Sequence, residues 1–223
     1  ESYLALMDDC DRMLALAAEA AGTDRFRRRG LECDPLAAPE RLGVPAAFER
    51  HAGIDLLATI ASDGATDGAA LAAAASARGI RVADDDTWSD VFSRILVEKI
   101  EPRLGIGRAT ILMDYPIAEA ALARRKADDP RLSERFELYG CALELANGFG
   151  ELTDPAEQRR RFLAEMDEKE RVYGERYPLD EDFLAALAIM PEAAGIALGF
   201  DRLVMLATGA ARIRDVIWTP MAE

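Results

Sequence analysis

Residues 135–154, RFELYGCALELANGFGELTD, place two glutamates and an asparagine where chemistry is possible. Apolar and polar residues alternate around a central glycine, which predicts a β-hairpin. With Gly140 and Cys141 as a two-residue loop, Tyr139 pairs with Ala142, Leu138 with Leu143, and Glu137 with Glu144. Two carboxylates would then face each other with Cβ atoms about 5 Å apart, which is destabilising unless something offsets it. A divalent cation would do so. Oxygen-only ligands select Mg²⁺ or Mn²⁺, and magnesium fills the rest of its shell with water and substrate phosphates. The alternative is that both glutamates face water and tolerate each other.

Asn147 and Gly148 follow on the same strand, and both residue types tolerate positive φ. A bend there would turn Asn147, Phe149 and Glu151 toward a common pocket. An amide can hold a carboxylate, a buried carboxylate can hold an ammonium, and a phenyl ring can line an aliphatic stem. The three together suit a lysine-like ligand, although Asn-Gly is also a plain turn signal. A second candidate is GIALGFDRLVML, residues 195–206, where a glycine-flanked strand runs into a helix with Arg202 in its first turn. Arginine at a positive helix end suits a nucleotide's phosphates or a purine face; the alternative is a surface arginine.

These side chains need elements to hold them. Residues 3–21 read as a helix with Leu4, Met7, Leu14 and Leu16 near helical spacing, stopped by Gly22. Residues 23–44 carry glycine, proline and charge and read as a loop with room for a short strand. Helices are predicted at 45–61 and 67–78, the second with an aspartate N-cap, so the segment 23–100 is mostly helical. Asp86 or Thr87 caps a further helix to about Ile100, which Pro102 and Gly105 end. Residues 109–116 form an apolar strand ended by Pro116. After the hairpin come a helix at 155–173 announced by Asp154–Pro155, a helix at 180–190, the strand GIALGF, a helix closed by Gly209, and a helix or short strand at 213–217. The hairpin requires antiparallel pairing, so the fold class is α+β, an antiparallel sheet flanked by helices.

Composition narrows the function. The net charge of −14 argues against non-specific nucleic-acid binding, which runs on Lys/Arg–phosphate contacts. The one basic cluster, RFRRRG at 25–30, reads as a solvated loop rather than a phosphate or RNA patch. Three widely spaced cysteines, Cys10, Cys33 and Cys141, give no metal framework and fit a reducing cytosol. The single histidine, His51, fits a helix end or core better than a triad. GIGRAT at 105–110 lacks the third glycine and preceding strand of a dinucleotide loop. No apolar run reaches the ~18 residues of a membrane span.

Two stretches together resemble a known family. RFELYGCALELANGFGELTDPAEQRRRF is similar to the late catalytic strands of class II lysyl-tRNA synthetases, and GIALGFDRLVMLATGAARIRDVI to their motif 3. DDTWSDVFSRILVEKIEPRLG and ILMDYPIAEAALARR fit in the same order, so the likeness covers most of 80–220. Within that group the chain looks most like the short paralogues that attach lysine to elongation factor P, because LANG carries Ala146 where the tRNA enzymes usually have glycine. The resemblance implies a class II synthetase-like catalytic domain over 1–223 that uses ATP and Mg²⁺. Glu137 and Glu144 fall on its magnesium and ATP pair, and Asn147 near the substrate carboxylate. Phe149 falls on the pocket wall, Glu151 on the partner of the side-chain ammonium, and Arg202 on the ATP arginine, with Gly199 allowing close approach. Ala146 would reshape the pocket floor toward (R)-β-lysine over lysine. The implied reaction forms an aminoacyl adenylate and acylates a lysine of elongation factor P, in the cytoplasm, with tRNA not the acceptor.

On this resemblance the chain is expected to start past the family's motifs 1 and 2. Glu1 and Tyr3 imitate a Glu-x-Tyr pair that follows motif 2, but YLALMDDC aligns better with the next helix. The expectation is a truncated catalytic domain, inactive alone and a homodimer when full length. The alternatives are a fragment of a tRNA-charging lysyl-tRNA synthetase and a non-catalytic paralogue.

Overall fold

A computed structural model describes residues 2–120 and 122–219. Helix α1 (Tyr3–Ala21) is N-capped by Ser2, whose hydroxyl accepts from the Leu4 N–H at 3.3 Å, and ends at Gly22 with φ 63°. Its buried stripe is Tyr3, Met7, Cys10, Leu14 and Ala18. Leu4 and Leu16, expected inside, are exposed at 43% and 64%. At about 100° per residue they fall off the stripe that Met7 and Leu14 define.

The segment expected as a loop holds three strands, β1 (Phe26–Arg28), β2 (Leu31–Asp34) and β3 (Glu40–Gly43). The basic cluster is therefore no loop: it is the first strand and turn of a hairpin, with Arg29 and Gly30 at φ 48° and 79°. Helices α2 (Val44–Ala52), α3 (Gly68–Ser76) and α4 (Trp88–Ile95) follow. Asp67 caps α3, and Thr87 with Asp90 forms a reciprocal capping box on α4. His51 sits in the last turn of α2. Past α4 the chain loosens into a π turn to Ile100 and a 3₁₀ turn to Arg103.

Strands β4 (Gly107–Arg108), β5 (Thr110–Met113), β6 (Arg135–Gly140) and β7 (Leu143–Gly150) come next. Then come α5 (Pro155–Tyr173), α6 (Glu181–Leu187), β8 (Ala194–Leu198) and α7 (Phe200–Thr208). A 3₁₀ turn at Ile213–Asp215 stands where a helix or strand was expected. The main sheet runs β3-β5-β6-β7-β8, parallel between β3 and β5 and antiparallel elsewhere; a small sheet runs β1-β2-β4. The fold is α+β as expected, with two parallel pairs added, β3–β5 in the main sheet and β2–β4 in the small one.

Two apolar layers enclose the main sheet. Phe48, Trp88, Phe92 and Ile95 pack with Leu42, Leu112, Tyr115 and Tyr139. Phe92 stacks on Phe48 at 5.0 Å and on Trp88 at 5.2 Å between centroids. Met7, Leu14, Leu203 and Leu206 pack with Ile111, Phe136, Leu138, Leu145 and Ala146. Alternate residues of each strand serve the two layers, so Glu137 shares a face with Leu112, and Leu138 with Ile111.

The hairpin differs from the expected register. Its turn is Cys141–Ala142, both left-handed at φ 51° and 53°, and Gly140 pairs with Leu143. Left-handed backbone costs non-glycine residues about 1–2 kcal/mol each. Here tertiary bonds hold it: Cys141 N–H donates to Gly105 O at 2.8 Å, Ala142 N–H to Leu104 O at 3.0 Å, and Arg28 to both turn carbonyls at 3.3 Å. Gly140 lies in β6 rather than in the turn, and Gly105 crosses it so closely that a Cβ on Gly105 would meet the Gly140 Cα at 2.6 Å. The later turn sets Glu144 opposite Tyr139; one extra residue, Leu145, then bulges between Glu144 and Ala146, so Glu137 faces Asn147. The bend expected at Asn147–Gly148 is absent: β7 runs straight through it, paired on both sides.

Candidate active site

The face shared by Arg135, Glu137, Tyr139, Glu144, Asn147 and Phe149 carries the candidate chemistry. Glu137 is 8% exposed. Its Oε2 accepts from the Tyr115 hydroxyl at 2.6 Å and the Tyr139 hydroxyl at 2.7 Å, and its Oε1 from Arg135 at 2.9 Å. Three donors satisfy the oxygens of a carboxylate buried away from water. Burial, then the Glu137 charge, push both phenols above their ordinary value, so they remain donors. The Arg135 guanidinium also lies 4.5 Å from the Tyr115 ring centroid. Glu101, 3.5 Å from the Tyr139 hydroxyl, is pushed upward by burial first and by Glu137 next.

Glu144 and Arg202 come together. Arg202 donates to the Glu144 carbonyl at 2.9 Å and to its Oε2 at 3.1 Å, with both side chains about two-fifths exposed. Gly199, at the N-terminal cap of α7, makes this possible: its N–H donates to Leu145 O at 2.8 Å, and a Cβ there would lie 3.3 Å from Arg202 Cδ. At the opposite end of β7, Phe149 packs against Ile117, Ala120 and Ala123. Glu151 reaches across β8, where a Cβ on Gly195 would meet its Oε1 at 2.7 Å. Burial raises the Glu151 carboxyl, which sets it up to gain from an incoming cation.

Ala146 does not join them. It pairs with Leu138 and Leu198, is 2% exposed, and lies in the layer under α1 and α7. The opposed Glu137–Glu144 pair does not form either: the turn, one residue later than expected, sets Glu144 opposite Tyr139, and the bulge beyond it sets Glu137 opposite Asn147. Arg135, Tyr115, Tyr139 and Glu101 were missed. Period-2 alternation from Glu137 would have found Arg135 and Tyr139; Tyr115, just past β5, and Glu101, in the 3₁₀ turn to Arg103, lie far from it in sequence. A cavity of about 1000 Å³ lies elsewhere, between the start of α4 and the α5–α6 connection, lined by Asp90, Phe162, Lys169 and Tyr177 among others.

Among the described residues no group of three or more His, Cys, Asp or Glu side chains is arranged to hold a metal ion. Two carboxylates with spare acceptor positions are present: Glu137 Oε1 has one donor, and Glu144 binds Arg202 through Oε2 alone. Oxygen donors of this kind are chemically suited to magnesium, which takes one or two carboxylates and completes its shell from phosphate oxygens.

A family model described as tRNA synthetases class II (D, K and N) matches residues 90–223. The chain belongs to the class II tRNA synthetase family. A lysine–tRNA ligase of Pelotomaculum thermopropionicum is 37% identical over the whole chain, which covers 44% of that protein. A lysine–tRNA ligase of Dehalococcoides mccartyi strain 195 is 41% identical over 81% of the chain and 35% of the relative. An elongation factor P–(R)-β-lysine ligase of Proteus mirabilis is 41% identical over 89% of the chain and 59% of the relative. The chain thus spans about half the length of the curated relatives it matches. Relatives of both kinds, lysine–tRNA ligases and elongation factor P–(R)-β-lysine ligases, match at similar identity, so likeness alone does not choose the acceptor. No helix among the described residues is long and apolar enough to cross a membrane.

Proposed function

We propose that this chain is the catalytic region of an ATP-dependent ligase that activates lysine or (R)-β-lysine as an adenylate and transfers it to a lysine side chain of elongation factor P. The observation that carries the reading is one sheet face holding Glu137, Asn147 and Glu151, with Arg202 folded onto Glu144 at its end. In the first step the amino-acid carboxylate attacks the ATP α-phosphorus and pyrophosphate leaves. In the second the acceptor ε-amine attacks the acyl carbon, loses a proton, and AMP leaves.

Each side chain has a part in this reading. Arg202 faces the nucleotide with its charge and plane. Asn147 donates to the amino-acid carboxylate, Phe149 lines the aliphatic stem, and Glu151 receives the side-chain ammonium. Magnesium, held by Glu137 and Glu144, would neutralise phosphate charge. Catalysis is then positioning plus charge stabilisation, with no protein nucleophile. Ala146 acts on β-lysine preference from beneath, through the backbone of Asn147, rather than as pocket lining. The reading includes a homodimeric full-length protein in the cytoplasm.

Charging of tRNA is the second reading, favoured by the lysine–tRNA ligase matching the chain from end to end; the net charge of −14 favours the protein acceptor. Incubation of the full-length gene product with ATP and labelled lysine or (R)-β-lysine, with elongation factor P in one arm and lysine tRNA in the other, decides between them. Label on elongation factor P supports the proposal; label on tRNA alone overturns it for the second reading.

A further inference from the structure

We propose that Arg135 is a positioning residue that couples the two ends of the candidate site, fixing the Glu137 carboxylate and the Asn147 amide in one arrangement. The roles of those two side chains rest on the adenylate reading; the coupling between them stands on geometry alone.

Arg135 begins β6, two residues before Glu137 on the same face. Its guanidinium divides three ways. One terminal nitrogen donates to Glu137 Oε1 at 2.9 Å, Nε donates to Asn147 Oδ1 at 3.4 Å, and the other terminal nitrogen donates to the Glu119 backbone carbonyl. The plane is held 4.5 Å from the Tyr115 ring, and the Tyr115 hydroxyl itself donates to Glu137 Oε2. The side chain is 19% exposed.

A guanidinium is a rigid planar fork, so moving one of its partners moves the other. The bond to Asn147 Oδ1 has a further effect. It fixes which way the amide is turned, leaving the Nδ2 hydrogens as the end offered to a ligand. A carboxylate arriving there meets an N–H donor with a positive charge behind it. Lysine in place of Arg135 would keep the charge but could not hold Glu137, Asn147 and the Glu119 carbonyl in one plane.

The test is a double-mutant cycle in the full-length gene product, read by amino-acid-dependent ATP–pyrophosphate exchange. Arg135→Lys is expected to raise the amino-acid KM about tenfold with kcat changed less than threefold. Asn147→Ala should cost about tenfold in the parent and less than threefold in the Arg135→Lys background, since the amide is already released. Independent, multiplicative effects would overturn the proposal. Arg135→Gln serves the same cycle if the lysine variant fails to fold. A second readout needs no activity: the Asn147 side-chain amide resonances of the 223-residue chain should shift in Arg135→Lys and stay in place in Arg160→Lys, on the exposed face of α5. Unmoved Asn147 resonances would overturn the coupling. A parent enzyme without exchange would overturn the adenylate reading and leave the amide shift to decide the coupling.

Discussion

Gly148 lies between Asn147 and Phe149, and replacing it with alanine tests the register that assembles the site. A Cβ there would stand 2.7 and 2.8 Å from two Phe136 ring carbons and 3.2 Å from the Gly195 carbonyl oxygen. Carbon contacts are comfortable at about 3.5–4.0 Å, so the ring must retreat by most of an ångström. Phe136 is fully buried in one cluster with Met7, Ile111 and Leu203, so its ring can retreat only by moving core neighbours. Overpacking of this kind costs about 1–3 kcal/mol. At about 2–4 °C per kcal/mol for a chain of this size, thermal unfolding followed by circular dichroism should show Tm falling by roughly 2–12 °C. Trimming the ring should relieve part of the clash, so Gly148→Ala with Phe136→Leu should be less destabilised than the sum of the two, by roughly 0.5 kcal/mol or more. If Gly148 were instead the open turn that Asn-Gly suggests, the added methyl would meet no ring. A Tm within 1 °C of the parent, or strictly additive variants, would refute the β6–β7 register in which Phe136 faces Gly148.

Arg202→Ala should weaken ATP binding about tenfold or more by calorimetry while moving Tm by less than ~2 °C, since its ion pair with Glu144 is half exposed and such pairs contribute about 0–1 kcal/mol. The thiols of Cys10 and Cys33 are pushed up to about 12, and that of Cys141 to about 11, each chiefly by burial; all three should resist a thiol reagent at pH 8 in the folded chain and react together once it is denatured. The Asp86 carboxyl is drawn down to about 2, first by its hydrogen bonds from Arg94 and then by the Ala83 N–H. A depressed pKa gives stability that is complete above the unfolded value of about 3.9 and is lost as pH falls toward 2, so Asp86→Asn should lower Tm at pH 6 and flatten the acid limb. The Glu151 carboxyl is raised by burial; affinity for an amine ligand should rise with pH as it ionises, and Glu151→Gln should remove that rise while weakening binding throughout.

Local signals in the sequence locate most of the frame. Asp154–Pro155, Asp67 and Thr87 cap the helices they announce, and the glycines at 22 and 209 close theirs. The strands at 26–43 were illegible because they are three or four residues long, and β2 and β3 pair in parallel with residues about seventy positions away. Nothing local announces such a pairing. The hairpin was legible as a hairpin but not in register. Gly140 looked like the turn residue, whereas it lies in β6 beneath the closely crossing Gly105, and hydrogen bonds from Arg28 and to Leu104 and Gly105 hold Cys141 and Ala142 left-handed in its place. Once the turn slides and Leu145 bulges, the pairing of every residue beyond it changes, which separates Glu137 from Glu144 and buries Ala146. Glu137 was legible as an acid, but the network that holds it was not. Tyr115 and Glu101 lie far from it along the chain, and no local pattern ties them to it. Arg135 and Tyr139 are near in sequence, yet alternation alone does not say that they turn their polar ends onto the carboxylate.

The most direct measurement is ATP–pyrophosphate exchange by the full-length gene product, with lysine and (R)-β-lysine supplied separately, in the parent and in Glu137→Gln. The adenylate-site account predicts exchange that depends on one of these amino acids and falls about a hundredfold or more when the carboxylate is removed. Exchange with neither amino acid, or exchange that Glu137→Gln leaves intact, would contradict it.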